Sequence, residues 1–69
     1  MQRTNFGAWL AATMAEQGVG PAELAESVGV ARTQVWSWKN SKSEPTAANL
    51  LRVAEFFDTP IEETLRYGR

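Results

Sequence analysis

The chain has 69 residues, a mass of 7.6 kDa, no cysteine, no histidine and a formal net charge of −1. That size means one domain, which buries only about 60% of the surface its unfolded chain exposes. Disulfides are excluded, and so is a zinc site of the usual Cys/His ligands, so the fold must stand on packing. With 43% apolar and 10% aromatic residues the composition is globular and not disordered. No apolar run approaches the length of a membrane span, and Met1-Gln-Arg-Thr-Asn5 leads into no signal-peptide core. A cytoplasmic protein is expected. The acidic pI of about 5.3 counts against a nucleic-acid partner until the charges are placed along the chain.

Apolar residues recur at helical spacing throughout, and no stretch alternates as a strand would. Breakers at Gly18 to Pro21, Gly29, Ser41 to Pro45, Thr59-Pro60 and Gly68 cut the chain into five segments. The first helix is predicted from about Asn5 to Gln17, capped by Thr4 or Asn5, with an apolar stripe of Phe6, Leu10, Ala11 and Met14 and with Trp9 beside it. Gly18 stands where a residue of positive φ ends a helix. The second is predicted over Pro21 to Val28: Pro21 suits the first helical position, where its missing N–H would be unpaired anyway. Leu24, Ala25 and Val28 face inward, and Gly29 ends it. The third runs from about Arg32 to Asn40 with Val35 and Trp38 as its inward pair. The fourth follows Thr46, a good cap, and carries Leu50, Leu51, Val53, Ala54 and Phe57. The fifth opens on Thr59-Pro-Ile-Glu62, a capping box, with Ile61 and Leu65 inward. The expected fold is all-α, a compact five-helix domain.

Pro21 to Asn40 is the most informative stretch. Two short helices flank the turn Gly29-Val30-Ala31, the arithmetic of a helix-turn-helix. Ala25 is small enough for close approach of the helices, Gly29 permits the sharp turn, and Val30 plugs the angle between them. Val35 and Trp38 anchor the second helix, so its other face must point outward. That face holds Arg32, Thr33, Trp36, Ser37 and Asn40, with Gln34 and Lys39 at its edges. It suits a DNA major groove. Arginine pairs bidentately with guanine and glutamine with adenine, serine and threonine meet several base edges, and an aromatic can cover a thymine methyl.

The stretch PAELAESVGVARTQVWSWKN resembles the lambda-repressor-like (XRE or Cro/repressor type) helix-turn-helix family. The resemblance continues through Ser41 to Pro45, then TAANLLRVAEFF, then TPIEETL, and so covers residues 6 to about 66. It implies that Arg32, Thr33 and Ser37 meet base edges, that Asn40 contacts a phosphate, and that Lys42 and Ser43 touch backbone or flanking bases. Three departures stand out. Pro21 replaces a glutamine that in many phage members contacts phosphate and braces a neighbour, which leaves the helix N-terminal amides for that phosphate. Ser41 replaces a common glycine. Trp36 replaces a smaller or polar residue, as a reader of the groove, as a wedge that changes how the helix docks, or as a structural residue packed sideways on the loop Lys42 to Pro45.

The acidic total is unevenly placed along the chain. Residues 31–43 carry Arg32, Lys39 and Lys42 and no acid, a local +3, while the four basic and eight acidic residues elsewhere give −4. Local charge decides whether a phosphate backbone can approach. With so few basic residues one monomer binds weakly, which favours a homodimer reading two halves of a palindrome. The last helix, with Ile61, Leu65 and Tyr67, is the expected dimer surface. The glutamates read as a solvated face, and no carboxylate pair has a His, Ser or metal partner, so no enzyme is expected. No cofactor, metal or small-molecule ligand is expected either. The overall expectation is a small stand-alone phage or bacterial regulator binding double-stranded DNA. The other readings of the same fold are an antitoxin-type module that binds a toxin as well as DNA, and a protein-interaction module without DNA binding in which Trp36 and Trp9 meet a partner protein.

Overall fold

The structure, a computed structural model, describes residues 6–60. It forms four helices in chain order: α1 Phe6–Gln17, α2 Pro21–Val28, α3 Arg32–Lys39 and α4 Ala47–Phe56. The proposed caps Thr4 and Asn5 lie outside the described residues, as does the chain from Ile61 onward. The capping box around Glu62, the fifth helix and the dimer surface of Ile61, Leu65 and Tyr67 therefore fall outside them too. The architecture is all-α and helix-turn-helix-like, with four described helices where five were expected.

Helix starts follow local chemistry. Pro21 occupies the first turn of α2 after an extended Gly20. Thr46 caps α4, its Oγ1 accepting from the Asn49 N–H at 3.2 Å. Helix ends share one device. Each of the four described helices runs into a residue of positive φ: Gly18 at 68°, Gly29 at 87°, Ser41 at 58° and Asp58 at 54°. The next residue then donates its N–H back to a carbonyl five residues earlier, at 2.9 Å from Val19 to Met14, 3.0 Å from Val30 to Ala25, 2.8 Å from Lys42 to Ser37 and 2.9 Å from Thr59 to Ala54. These are Schellman-type ends, which satisfy orphan carbonyls and turn the chain within about two residues. The third helix stops one residue earlier than expected because Asn40 leaves helical geometry to serve as its cap.

The core is one cluster: Phe6, Leu10 and Met14 from α1, Leu24, Ala25 and Val28 from α2, Val35 and Trp38 from α3, Leu50 and Val53 from α4, and Phe57 just beyond it. Trp9, Val19, Val30 and Phe56 pack against its margin. Trp9 closes one side, its ring 5.6 Å from that of Phe6 and 6.1 Å, edge-on, from that of Phe57. Phe56 meets Phe57 edge-on at 4.9 Å. Leu51 departs from the expected apolar set: it is 46% exposed, because its neighbour Leu50 takes the inward position on α4. Among the described residues no buried side-chain polar atom lacks a hydrogen-bond partner.

The two neighbouring tryptophans of α3 therefore divide sharply, Trp38 at 1% exposure and Trp36 at 54%. Trp38→Ala is expected to cost about 3–5 kcal/mol, a large fraction of the stability of a domain this small. Trp36→Ala should stay within about 0.5 kcal/mol of the parent. Urea unfolding followed by circular dichroism measures both.

Candidate nucleic-acid interface

The candidate surface is built on α3, which packs on α1 and α2. Val35 (0% exposed) and Trp38 lock it down from behind. What remains outward is a stripe at i, i+3, i+4 and i+7: Thr33, Trp36, Ser37 and Asn40. Arg32, Thr33, Gln34, Trp36 and Asn40 are exposed, while Ser37 and Lys39 are half-buried. Lys42 and Ser43 are exposed in the following turn. All nine expected contact residues thus lie on one helix and the turn that leaves it.

The turn is tied to the helix by its own backbone. The Ser37 carbonyl accepts from the N–H of Lys42 at 2.8 Å and of Ser43 at 3.4 Å, and the Trp38 carbonyl accepts from Ser41 at 3.2 Å. Lys42 and Ser43 are therefore set directly under the C-terminal end of α3. Asn40 is bound to the helix as well: its backbone N–H and its Nδ2 both donate to the Trp36 carbonyl, at 3.1 and 2.9 Å. One amide hydrogen of Asn40 remains for an outside acceptor such as a phosphate. Ser41, the departure from the family's usual glycine, keeps the left-handed turn that a glycine would make and carries the steric penalty of its Cβ there.

At the helix starts, neither Gly20 before α2 nor Ala31 before α3 supplies a side-chain cap. Arg32 stands at the first position of α3, against the helix dipole. Ala25 is buried at 3% exposure where α2 meets its neighbours, and Gly29 turns the chain with a φ of 87°. Val30 is half-buried against the core, as expected of the plug between the two helices.

One residue that positions the surface escaped the sequence reading. Gly7, on the first turn of α1, is buried, and a Cβ there would lie 2.5 Å from the Trp38 carbonyl oxygen, 2.6 Å from Ser41 Oγ and 3.2 Å from the Lys39 carbonyl oxygen. The C-terminal end of α3 thus rests on bare α1 backbone. The available hint was local: a glycine inside a helix costs about 1 kcal/mol against alanine, so one found there usually has a packing reason. Beside this seat lies a cleft of about 200 Å³ lined by Phe6, Gly7, Trp38, Ser41, Ser43 and Glu44.

Comparison with known proteins agrees with this geometry. A helix-turn-helix family model matches residues 10–63. The chain belongs to the XRE, lambda-repressor-like helix-turn-helix family. That places it among DNA-binding transcriptional regulators. Among solved structures it is similar to SinR, a master regulator for biofilm formation, in a crystal structure of SinR in complex with DNA. That match has a TM-score of 0.78 and 26% sequence identity, and it covers 87% of this chain and 97% of the other. A search of curated protein sequences finds no match.

Two substitutions test how the surface is held. Ser41→Gly should raise stability by about 0.5–1 kcal/mol, the relief of a left-handed Cβ less the entropy of an added glycine. Gly7→Ala should lower it, because the atoms in the way are mainly backbone. Thermal unfolding of the two variants side by side gives both signs.

Proposed function

We propose that this protein is a sequence-specific, repressor-type regulator that lays α3 in the DNA major groove and binds a two-fold symmetric operator as a homodimer. The observation that carries this reading is the division of α3 into a buried anchor, Val35 and Trp38, and an exposed polar face within a stretch free of acids. Arg32, Thr33, Gln34 and Ser37 supply hydrogen-bonding groups for base edges, with Arg32 suited to guanine and Gln34 to adenine. Trp36 adds an apolar surface among them. Asn40, Lys39, Lys42 and Ser43 face the phosphate backbone, and a further phosphate meets the amides at the start of α2. SinR, which shares this arrangement of helices, was crystallised with DNA, and that supports the reading.

The dimer follows from charge. Arg32, Lys39 and Lys42 give one chain few phosphate partners, and two chains double them. Two recognition helices set about 34 Å apart would read successive half-sites on one side of the duplex. The surface joining them is assigned to the segment carrying Ile61, Leu65 and Tyr67, the expected fifth helix. Regulation would be steric, by occupying an operator, in the cytoplasm of a bacterium or under phage control. Among the described residues no helix is long and apolar enough to cross a membrane. No enzymatic activity is assigned, since regulators of this family act by binding.

Selection of random duplexes with the purified protein tests the reading. Enrichment of a palindrome supports it, and no enrichment at low salt removes it. On the selected site, Arg32→Ala should weaken binding by about 1–3 kcal/mol and relax one base position in each half-site. Lys42→Ala should weaken all sequences alike and reduce the salt slope by about 1 per subunit. Fluorescence anisotropy over a salt series separates the two behaviours.

A further inference from the structure

Trp36 is the most exposed large apolar side chain among the described residues, at 54%, and it sits in the middle of the outward stripe of α3 between Thr33 and Asn40. The chain has three tryptophans: Trp38 is buried, and Trp9 is packed between Phe6 and Phe57. Nothing in the core requires a third at position 36. Its backbone is also held firmly, since its carbonyl takes both hydrogen bonds from Asn40.

An indole has one N–H donor and no acceptor. It cannot make the bidentate contacts by which Arg32 or Gln34 would tell one base edge from another. What it brings to a groove is a flat apolar face. The major-groove edges of the base pairs are polar with one exception, the methyl group on C5 of thymine. A 5-methylcytosine carries the same methyl on the same carbon.

We propose that Trp36 is a specificity residue that reads a pyrimidine 5-methyl group, so that each half-site holds one pyrimidine whose methyl, and not only its hydrogen-bonding edge, is recognised. This rests on the DNA-binding reading above. The neighbouring polar residues then sort the flanking bases, while the indole covers the methyl and removes its own apolar surface from water. Burying one methyl-sized group is equivalent to about a four-fold change in affinity, and in a two-fold complex the effect counts twice.

The test uses the full chain and the duplex it selects. Each thymine of the half-site is replaced in turn, in both halves, by deoxyuridine, which deletes the methyl and keeps every hydrogen-bonding group. Affinity is measured for the parent and for Trp36→Ala, with thermal melts confirming that both are folded. One position at which deoxyuridine weakens the parent by about 4- to 16-fold, and leaves Trp36→Ala unchanged, supports the proposal. If the selected base is a cytosine, the arm is reversed: 5-methylcytosine should tighten the parent by the same factor and leave the variant indifferent. This arm separates the two sources of the methyl. A selected site bound tightly but indifferent to the methyl at every pyrimidine overturns the proposal and leaves the DNA-binding reading standing. So does an equal methyl effect in the parent and in Trp36→Ala. Parental affinity of Trp36→Ala on every duplex overturns it too, and returns the exposed indole to a protein contact. Failure to select any duplex overturns both.

Discussion

The structure depends on how α3 is held from behind. A helix of eight residues is not stable on its own in water, so its direction and rotation are set by what it buries. Val35 and Trp38 are that buried pair. Trp38 carries the larger share of the apolar burial, and Val35 beside it limits rotation about the helix axis. Once these two are in place, the positions of Thr33, Trp36, Ser37 and Asn40 follow from helix geometry alone. The exposed face is in this sense a by-product of the core. Gly7 completes the seat, because only a residue without a Cβ lets the backbone of α1 approach the last carbonyls of α3 so closely.

A second constraint is economy of chain. Four helices within residues 6–60 leave few residues for each connection. The left-handed residue at each helix end answers this, since it reverses the chain while its neighbour's N–H satisfies a carbonyl that would otherwise have no partner. Two of the four ends use glycine, and two use Ser41 and Asp58. Aspartate tolerates the left-handed region better than most residues, and serine has no such advantage. The strain at Ser41 therefore falls beside the face that would meet DNA. The same turn brings Lys42 and Ser43 under α3, so the local conformation and the candidate surface are one feature.

Charge is arranged to match. The acidic total of the chain is spread over other segments, and residues 31–43 hold none of it. Net charge governs solubility and long-range attraction, whereas a phosphate backbone meets only the charges of the approaching face. An overall negative charge and a locally positive α3 with its following turn are therefore compatible. Hydrogen-bonding side chains surround one exposed indole, so the face presents both polar and apolar groups to solvent.

Much of this was legible in the residues. Pro21, Gly29 and Thr46 mark helix boundaries through chemistry that acts within a few residues, and the structure places them where that chemistry predicts. Val35 and Trp38 were legible as anchors because three residues along a helix is nearly one turn. Leu50 and not Leu51 turns inward because Leu50, Val53, Ala54 and Phe57 fall at i, i+3, i+4 and i+7, one face of the helix. Gly7 was missed because its reason lies more than thirty residues away in the chain, at Trp38, Lys39 and Ser41. The sequence by itself determined where the four described helices begin and, to within a residue, where they end, because capping, turn geometry and periodicity are local. The tertiary structure alone decided that Gly7 is the seat of α3 and that Trp9 of α1 meets Phe57 beyond α4. Those depend on contacts between segments that meet only when the core closes.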